Sequence, residues 1–162
     1  MKKSFFILLV CILNLNSFAS YYSKQNSNGV ISMLKEFYIA YNTAWSSSKG
    51  YPLIKKLDSL QSKYCTISYR RELKKEFKEV GLDHDELVND AATDIEHLNT
   101  LNIIKDRSKV NEYIVSYIVV GKDASNKPLQ ERIVIHVMVT KEAGAYKIAA
   151  IKNGSYSIIP NK

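Results

Sequence analysis

Three consecutive segments rich in β-branched and aromatic residues constrain the fold most. They cover residues 112–120 (EYIVSYIVV), 131–140 (ERIVIHVMVT) and 145–151 (AYKIAAI), and residues of these types favour strands. Short polar turns separate them, and residues 102–107 add a short fourth strand beside the first. Strands joined by short turns pair antiparallel, because parallel pairing needs a long crossover connection. The sequence therefore predicts an antiparallel meander in the C-terminal part of the chain.

Helical periodicity dominates the part of the chain before these strands. Over residues 30–45 apolar side chains return every three or four positions and form one strongly aromatic face. A second helix is predicted over residues 51–64, and a third over residues 66–80 with Leu73 and Phe77 facing inward. Helices first and sheet last predict an α+β fold, with the helices packed on one face of the sheet.

The first nineteen residues have the three parts of a secretion signal. Lys2 and Lys3 form a basic start, residues 5–13 are apolar, and Ser17 and Ala19 are the small residues of a cleavage site. The apolar run is shorter than the roughly 20 residues of a membrane span, although an N-terminal anchor helix is the alternative. We expect a signal peptide over 1–19, a loose lead-in over 20–29 and one domain over 30–159. The expected location is periplasmic or secreted.

Charge and cysteine content narrow the function classes. The net charge of +7 falls to +5 when the two lysines of the signal are removed, and the remaining lysines are scattered along the chain. This pattern argues against nucleic-acid binding, which needs a concentrated basic face. Cys65 would be the single cysteine of the mature chain, which excludes an intrachain disulfide and a cysteine metal site. Lipidation of Cys11 is the weaker alternative. Sequences that resemble lipoprotein signals have a small residue directly before the cysteine, and Val10 occupies that position here.

Four short segments resemble a known family. Residues 37–45 (FYIAYNTAW) and 145–151 (AYKIAAI) resemble the opening helix and last strand of the nuclear-transport-factor-2-like, or cystatin-like, cone fold. Residues 63–66 (KYCT) and 81–87 (GLDHDEL) are similar to an exported bacterial subfamily of unknown function that is common in gut Bacteroidetes. The resemblance covers residues 30–151 and implies a strongly curved sheet. Relatives with this cone include isomerases, dehydratases, ligand carriers, dimerisation modules and immunity proteins, so function stays open.

The resemblance also directs attention to the interior of the cone. Enzymes of this fold place an Asp or a His there, and His136 is the strand residue that could transfer a proton or orient a ligand. The alternative is a histidine satisfied by one hydrogen bond in the sheet. Aromatic side chains on the first helix and the strands would form an apolar pocket with polar tips, or simply fill the core. The candidate ligand-binding residues are Tyr38, Tyr41, Trp45, Tyr113, Tyr117, His136 and Tyr146.

An acid-rich segment from Asp83 to Asp94 stands out in this basic chain. If residues 86–98 are helical, Asp90, Asp94 and His97 share one face and could hold a divalent ion. The segment matches neither a calcium loop nor a zinc-protease motif, and acids near a helix start are stabilised without any ion. We therefore expect no cofactor and keep these three residues as weak metal candidates.

The sequence thus favours an exported, non-enzymatic protein that binds a small apolar molecule or a partner protein. Homodimerisation through the sheet is a further expectation, since strands apolar on both faces need a cover for the second face. One alternative is a pocket enzyme that uses His136 for proton transfer. Another is an immunity-type inhibitor of an envelope-acting toxin.

Overall fold

The computed structural model describes residues 27–80, 85–88, 95–122 and 125–158. The expected signal peptide lies outside the described residues, as does most of the expected lead-in. Residues 27–29, which we expected to be loose, already belong to the first helix. A side chain at Gly29 would come within 3.2 Å of the Tyr146 ring, so the start of this helix packs closely on the last strand.

Three α-helices come first among the described residues. They are α1 at residues 27–47, α2 at Gly50–Tyr64 and α3 at Ile67–Val80. The Thr66 hydroxyl accepts a hydrogen bond from the Tyr69 backbone N–H at 3.2 Å, which makes Thr66 the N-cap of α3. The Glu142 carboxylate accepts a second hydrogen bond at this helix start, from the backbone N–H of Ile67.

In the described part of the chain the sheet has four strands in the order in which they occur in the sequence, and each pairs antiparallel with the next. They are β1 at Asn102–Lys105, β2 at Glu112–Lys122, β3 at Pro128–Glu142 and β4 at Ala145–Ile158. A 3₁₀-helix at Ile95–Thr100 precedes them. The predicted meander is confirmed. Strands β3 and β4 are longer than predicted, because pairing with β2 and with each other continues into polar residues.

The helices cover one face of this sheet. Alternate residues of β2 and β3, among them Val115, Ile135 and Val137, are fully buried, and so are Leu34 and Phe37 on α1. Two irregularities in the β3–β4 pairing curl the sheet, which stays open. The predicted α+β class is confirmed, with N-terminal helices on a curled, cone-like antiparallel sheet.

The other face of the sheet, here called the outer face, carries the remaining alternate residues. Ile104 is 48% exposed and Val120 is 64% exposed, while Ile114, Val134 and Met138 are partly buried. In the part of the chain that the structure describes, no helix is long and apolar enough to cross a membrane.

Candidate ligand site between the helices

A cavity of about 370 Å³ lies between α2 and α3. Ile54 and Leu57 of α2 line it on one side, and Leu73 and Phe77 of α3 line it on the other. Leu57 and Leu73 are buried and belong to the hydrophobic core, so the cavity reaches inward as far as the core. Its volume and apolar walls are typical of small-molecule sites.

Two aromatic rings stand at the mouth of the cavity. Tyr51 is 77% exposed and Phe77 is 40% exposed, and both line the cavity. The prediction that Phe77 faces inward is therefore wrong in part. Phe77 follows Leu73 by one helical turn on the same face of α3, but the core ends at Leu73 and the next turn borders the cavity.

The carboxylate of Asp85 lines the inner end of the cavity. The Tyr41 hydroxyl donates a hydrogen bond to Asp85 Oδ2 at 2.8 Å, and the Leu87 backbone N–H donates to Oδ1 at 3.0 Å. Gln61 Nε2 in turn donates to the Tyr41 hydroxyl oxygen at 3.1 Å. Both carboxylate oxygens are thereby held in a fixed orientation by neutral donors.

The surroundings of Asp85 disfavour its charge. Burial raises the pKa of Asp85, and the hydrogen bonds from Tyr41 and Leu87 oppose that effect only in part. The Trp45 indole N–H also favours the anion, although it forms no hydrogen bond of ordinary geometry with a described residue. Asp85 remains partly exposed because the cavity reaches it. It takes part in none of the ion pairs among the described residues.

Tyrosine hydroxyls fix the turn that carries Asp85, here called the acidic turn (residues 85–88). Besides the bond from Tyr41, Tyr69 donates to Glu86 Oε1 at 2.6 Å, and Tyr117 donates to the carbonyl oxygen of Val88. Leu87 and Val88 are fully buried. These contacts tie the acidic turn to α1, α3 and β2, so its carboxylates are positioned by the core rather than by a surface loop.

The predicted ligand-binding residues do not meet in one place. Tyr41 lines the cavity and Trp45 lies beside Asp85. The others are distributed over the core, the start of α1 and the outer face: Tyr38 and Tyr117 are core residues, Tyr113 and Tyr146 lie near Ser27 and Gly29, and His136 lies on the outer face. Gly29 is about 18 Å from Tyr41 along α1, at 1.5 Å per helical residue.

His136 belongs to an ion cluster on the outer face. Its Nδ1 lies 3.1 Å from Glu112 Oε1, which also accepts a hydrogen bond from Lys109 at 2.8 Å. Lys152 Nζ is 3.7 Å from Glu112 Oε2. The Lys109 ammonium lowers the pKa of Glu112. The Glu112 side chain is only 2% exposed, yet it is shielded by these neighbouring side chains rather than by depth in the protein.

A metal ion is a poor fit for this cluster. The ligand atoms of Asp106, Glu112 and His136 lie within 4.8 Å of one another, a donor set that suits several divalent ions. The Lys109 ammonium already contacts Glu112 Oε1, so an ion would have to displace it. The cluster reads as a set of ion pairs that is complete in itself.

The weak metal candidates are described only in part. Asp90 and Asp94 lie outside the described residues. His97 lies in the 3₁₀-helix and stacks on the Tyr117 ring, with 6.2 Å between the ring centroids. The helix over residues 86–98 that this metal site would require is absent from its described parts, which form the acidic turn and the 3₁₀-helix instead.

Sequence reasoning missed Asp85 as the polar centre of the cavity. Asp85 was one of several acids in the acid-rich segment, and nothing distinguished it from its neighbours. The usable signal was the apolar pair Leu87–Val88 directly after it, because an apolar pair that enters the core carries the adjoining acid inward.

Comparison with known proteins supports the fold. No protein-family profile matches the chain, and no curated protein matches it. A solved structure is similar: the crystal structure of a protein of unknown function from Bacteroides thetaiotaomicron VPI-5482, with a TM-score of 0.67 and 20% sequence identity. The match covers 85% of this chain and 98% of that chain. At this identity the similarity shows the fold alone.

Proposed function

We propose that this protein binds a small, largely apolar molecule in the cavity between α2 and α3, with Asp85 as the polar anchor. One observation carries the proposal: a cavity of about 370 Å³ with apolar walls ends on a carboxylate whose two oxygens are held in place. Ligand sites generally combine apolar walls with a few convergent polar groups.

The aromatic mouth supports the proposal. Large exposed apolar side chains are unremarkable when they are scattered, but a group of them beside a cavity is typical of a surface that a ligand covers. Tyr51 and Phe77 form such a group. A bound molecule would bury part of both rings, at about 25 cal/mol per Å² of apolar surface.

The fixed position of the acidic turn at the inner end of the cavity also supports the proposed ligand binding. A site that must be ordered on binding loses affinity to the conformational entropy of the residues that become fixed. Here Tyr41, Tyr69 and Tyr117 already fix the acidic turn from three different elements. The carboxylate is therefore preorganised, and little of the binding free energy is spent on positioning it.

The proposal includes export and family. The signal-like residues 1–19 and the cone-like segments 37–45 and 145–151 support a periplasmic or secreted protein of the nuclear-transport-factor-2-like superfamily. The proposal does not extend to proton transfer by His136. His136 lies on the outer face, whereas the acidic turn contacts Tyr117 on the helix-covered face.

Association through the outer face is a second candidate function. Ile104 is exposed there beside its cross-strand partner Ile114, and Val120 is exposed about 20 Å further along β2. Exposed apolar side chains on a sheet face are a common partner surface. Light scattering of the mature protein should show a dimer that Ile104→Lys converts to a monomer. A monomer in the parent protein at high concentration would exclude the homodimer.

Titration with N-phenyl-1-naphthylamine, a neutral dye that fluoresces in apolar surroundings, tests the cavity. Excitation is chosen where tryptophan does not absorb. The parent should bind one dye per chain, and Ile54→Trp, which fills the cavity from its wall, should weaken binding at least tenfold. Ile39→Trp is the matched control, because Ile39 is an exposed helical isoleucine that does not line the cavity. No binding to the parent, or equal binding by both variants, would refute the proposal.

A further inference from the structure

The anchor of the cavity is a carboxylate that has no cationic partner among the described residues. Of the basic residues that line the cavity, Lys74 is bound to Asp58 at 3.0 Å and Lys55 is an exposed residue of α2. Asp85 itself is contacted by hydroxyl and N–H donors that carry no charge. The geometry points to a positively charged ligand: we infer that the cavity takes an organic cation, a protonated amine carried on an apolar body. This inference rests on the proposed function and specifies its ligand class.

The charge around the site has the sign that this ligand requires. Glu76 and Glu86 also line the cavity. Both of them also line an adjoining depression of about 330 Å³, together with Glu72, Glu79 and Lys75. Over the two together, six acidic residues outnumber three lysines, in a chain whose net charge is +7. A cleft with an excess of one sign of charge raises the local concentration of the opposite ion.

The aromatic mouth suits the same ligand. Organic cations are attracted to the faces of aromatic rings as well as to carboxylates. Tyr51 and Phe77 offer rings at the entrance, and the Asp85 carboxylate lies at the inner end. An elongated ligand could place its ammonium group against Asp85 and its apolar body between Leu57 and Leu73.

The energetics of Asp85 agree with this arrangement. A buried carboxylate is costly unless an opposite charge and hydrogen bonds compensate it. The hydrogen bonds are present, but no described cation forms an ion pair with Asp85. Burial correspondingly raises the pKa of Asp85. An ammonium ion would supply the missing charge, whereas a carboxylate ligand would add a repulsive one.

Three compounds with the same ring and different head groups test the inference. They are 1-naphthylmethylamine, which is cationic at pH 7.5, the neutral 1-naphthylmethanol and the anionic 1-naphthoic acid. Calorimetric titration of the parent at pH 7.5 should show the amine binding at least tenfold more tightly than the alcohol, with the acid weakest. Asp85→Asn should reduce the preference for the amine over the alcohol to about twofold or less.

Asp106→Asn is the matched control variant. It removes the same single negative charge by the same chemical change, but Asp106 lies by the outer-face ion cluster and outside the cavity lining. This variant should keep the preference for the amine. Thermal melting of both variants establishes that they are folded, and the comparison of the three compounds in the parent needs no variant.

The outcomes separate the inference from the function on which it rests. Equal affinity for amine and alcohol in the parent would overturn the cation inference and leave the apolar site standing. An amine preference that survives Asp85→Asn would also overturn it, because the charge would then act elsewhere. Failure of all three compounds and of the neutral dye to bind would overturn the proposed function, and the inference with it.

Discussion

Two tyrosines on α1 allow the contacts at the anchor to be measured directly. Tyr38 and Tyr41 are both fully buried and lie one turn apart. The Tyr41 hydroxyl donates to Asp85 and accepts from Gln61, whereas the Tyr38 hydroxyl has no hydrogen-bond partner among the described residues. Replacing either tyrosine by phenylalanine removes one buried hydroxyl and little else.

The expected magnitudes follow from these contacts. A hydrogen bond to a charged group contributes about 1.5–3 kcal/mol to stability, and leaving a buried partner unsatisfied costs a similar amount. Tyr41→Phe should therefore lower the free energy of unfolding by about 2–3 kcal/mol at pH 7.5. Tyr38→Phe removes a buried group that lacks a partner, so it should change stability by about zero or raise it by up to ~1 kcal/mol.

Urea unfolding followed by circular dichroism measures both variants against the parent. The slopes of the transitions should be equal, so that the midpoints report stability. The penalty of Tyr41→Phe should shrink at acidic pH, where Asp85 is protonated and the lost bond joins neutral groups. Equal destabilisation by both substitutions would refute the assignment of the Tyr41 hydroxyl to Asp85.

Four further substitutions or reactions test other parts of the structure. Burial raises the pKa of Asp85, so the parent loses stability as the pH rises through that pKa. The Asp85→Asn variant lacks this group. Its melting temperature minus that of the parent should therefore increase from pH 4 to pH 8. Lys109 lowers the pKa of Glu112, so the ionised Glu112 stabilises the parent at neutral pH. Glu112→Gln should melt at a lower temperature than the parent at pH 7, and this difference in melting temperature should disappear toward pH 3. Thr66→Ala should cost about 1 kcal/mol in urea unfolding, through loss of the cap of α3. Burial raises the pKa of Cys65 to about 12, so the folded protein should react with Ellman's reagent at pH 8 only as fast as it unfolds.

Each of these four expectations can be contradicted by one result. If the melting-temperature difference between the parent and Asp85→Asn, or between the parent and Glu112→Gln, does not change with pH, the charge of that residue does not affect stability as we expect. An unchanged urea midpoint for Thr66→Ala would mean that Glu142 alone caps α3. Rapid labelling of Cys65 under native conditions would contradict its place in the core.

Local patterns were sufficient to predict the architecture. The three segments rich in β-branched and aromatic residues form β2, β3 and β4, and the apolar face predicted over residues 30–45 is the buried face of α1. Phe77 shows where such reasoning ends. Helical periodicity predicts which residues share one face of a helix. It does not predict where along the helix the element that packs against this face ends.

The candidate site depended on contacts that no local pattern encodes. The alternation of side chains along a strand places His136 and Ile135 on opposite faces of the sheet. It does not indicate which of the two faces the helices cover. Asp85 acquires its role from Tyr41, which lies 44 positions earlier in the chain. The acid-rich segment therefore predicted local charge, and only tertiary packing distinguished Asp85, whose carboxylate is held in place by the core.

A crystal structure of the mature protein with N-phenyl-1-naphthylamine at saturating concentration would test the central claim most directly. We predict density for the dye between α2 and α3, in contact with Leu57 and Leu73 and with one end near the Asp85 carboxylate. Density on the outer face beside Ile104 instead, or a space between the helices closed by the protein's own side chains, would contradict the account.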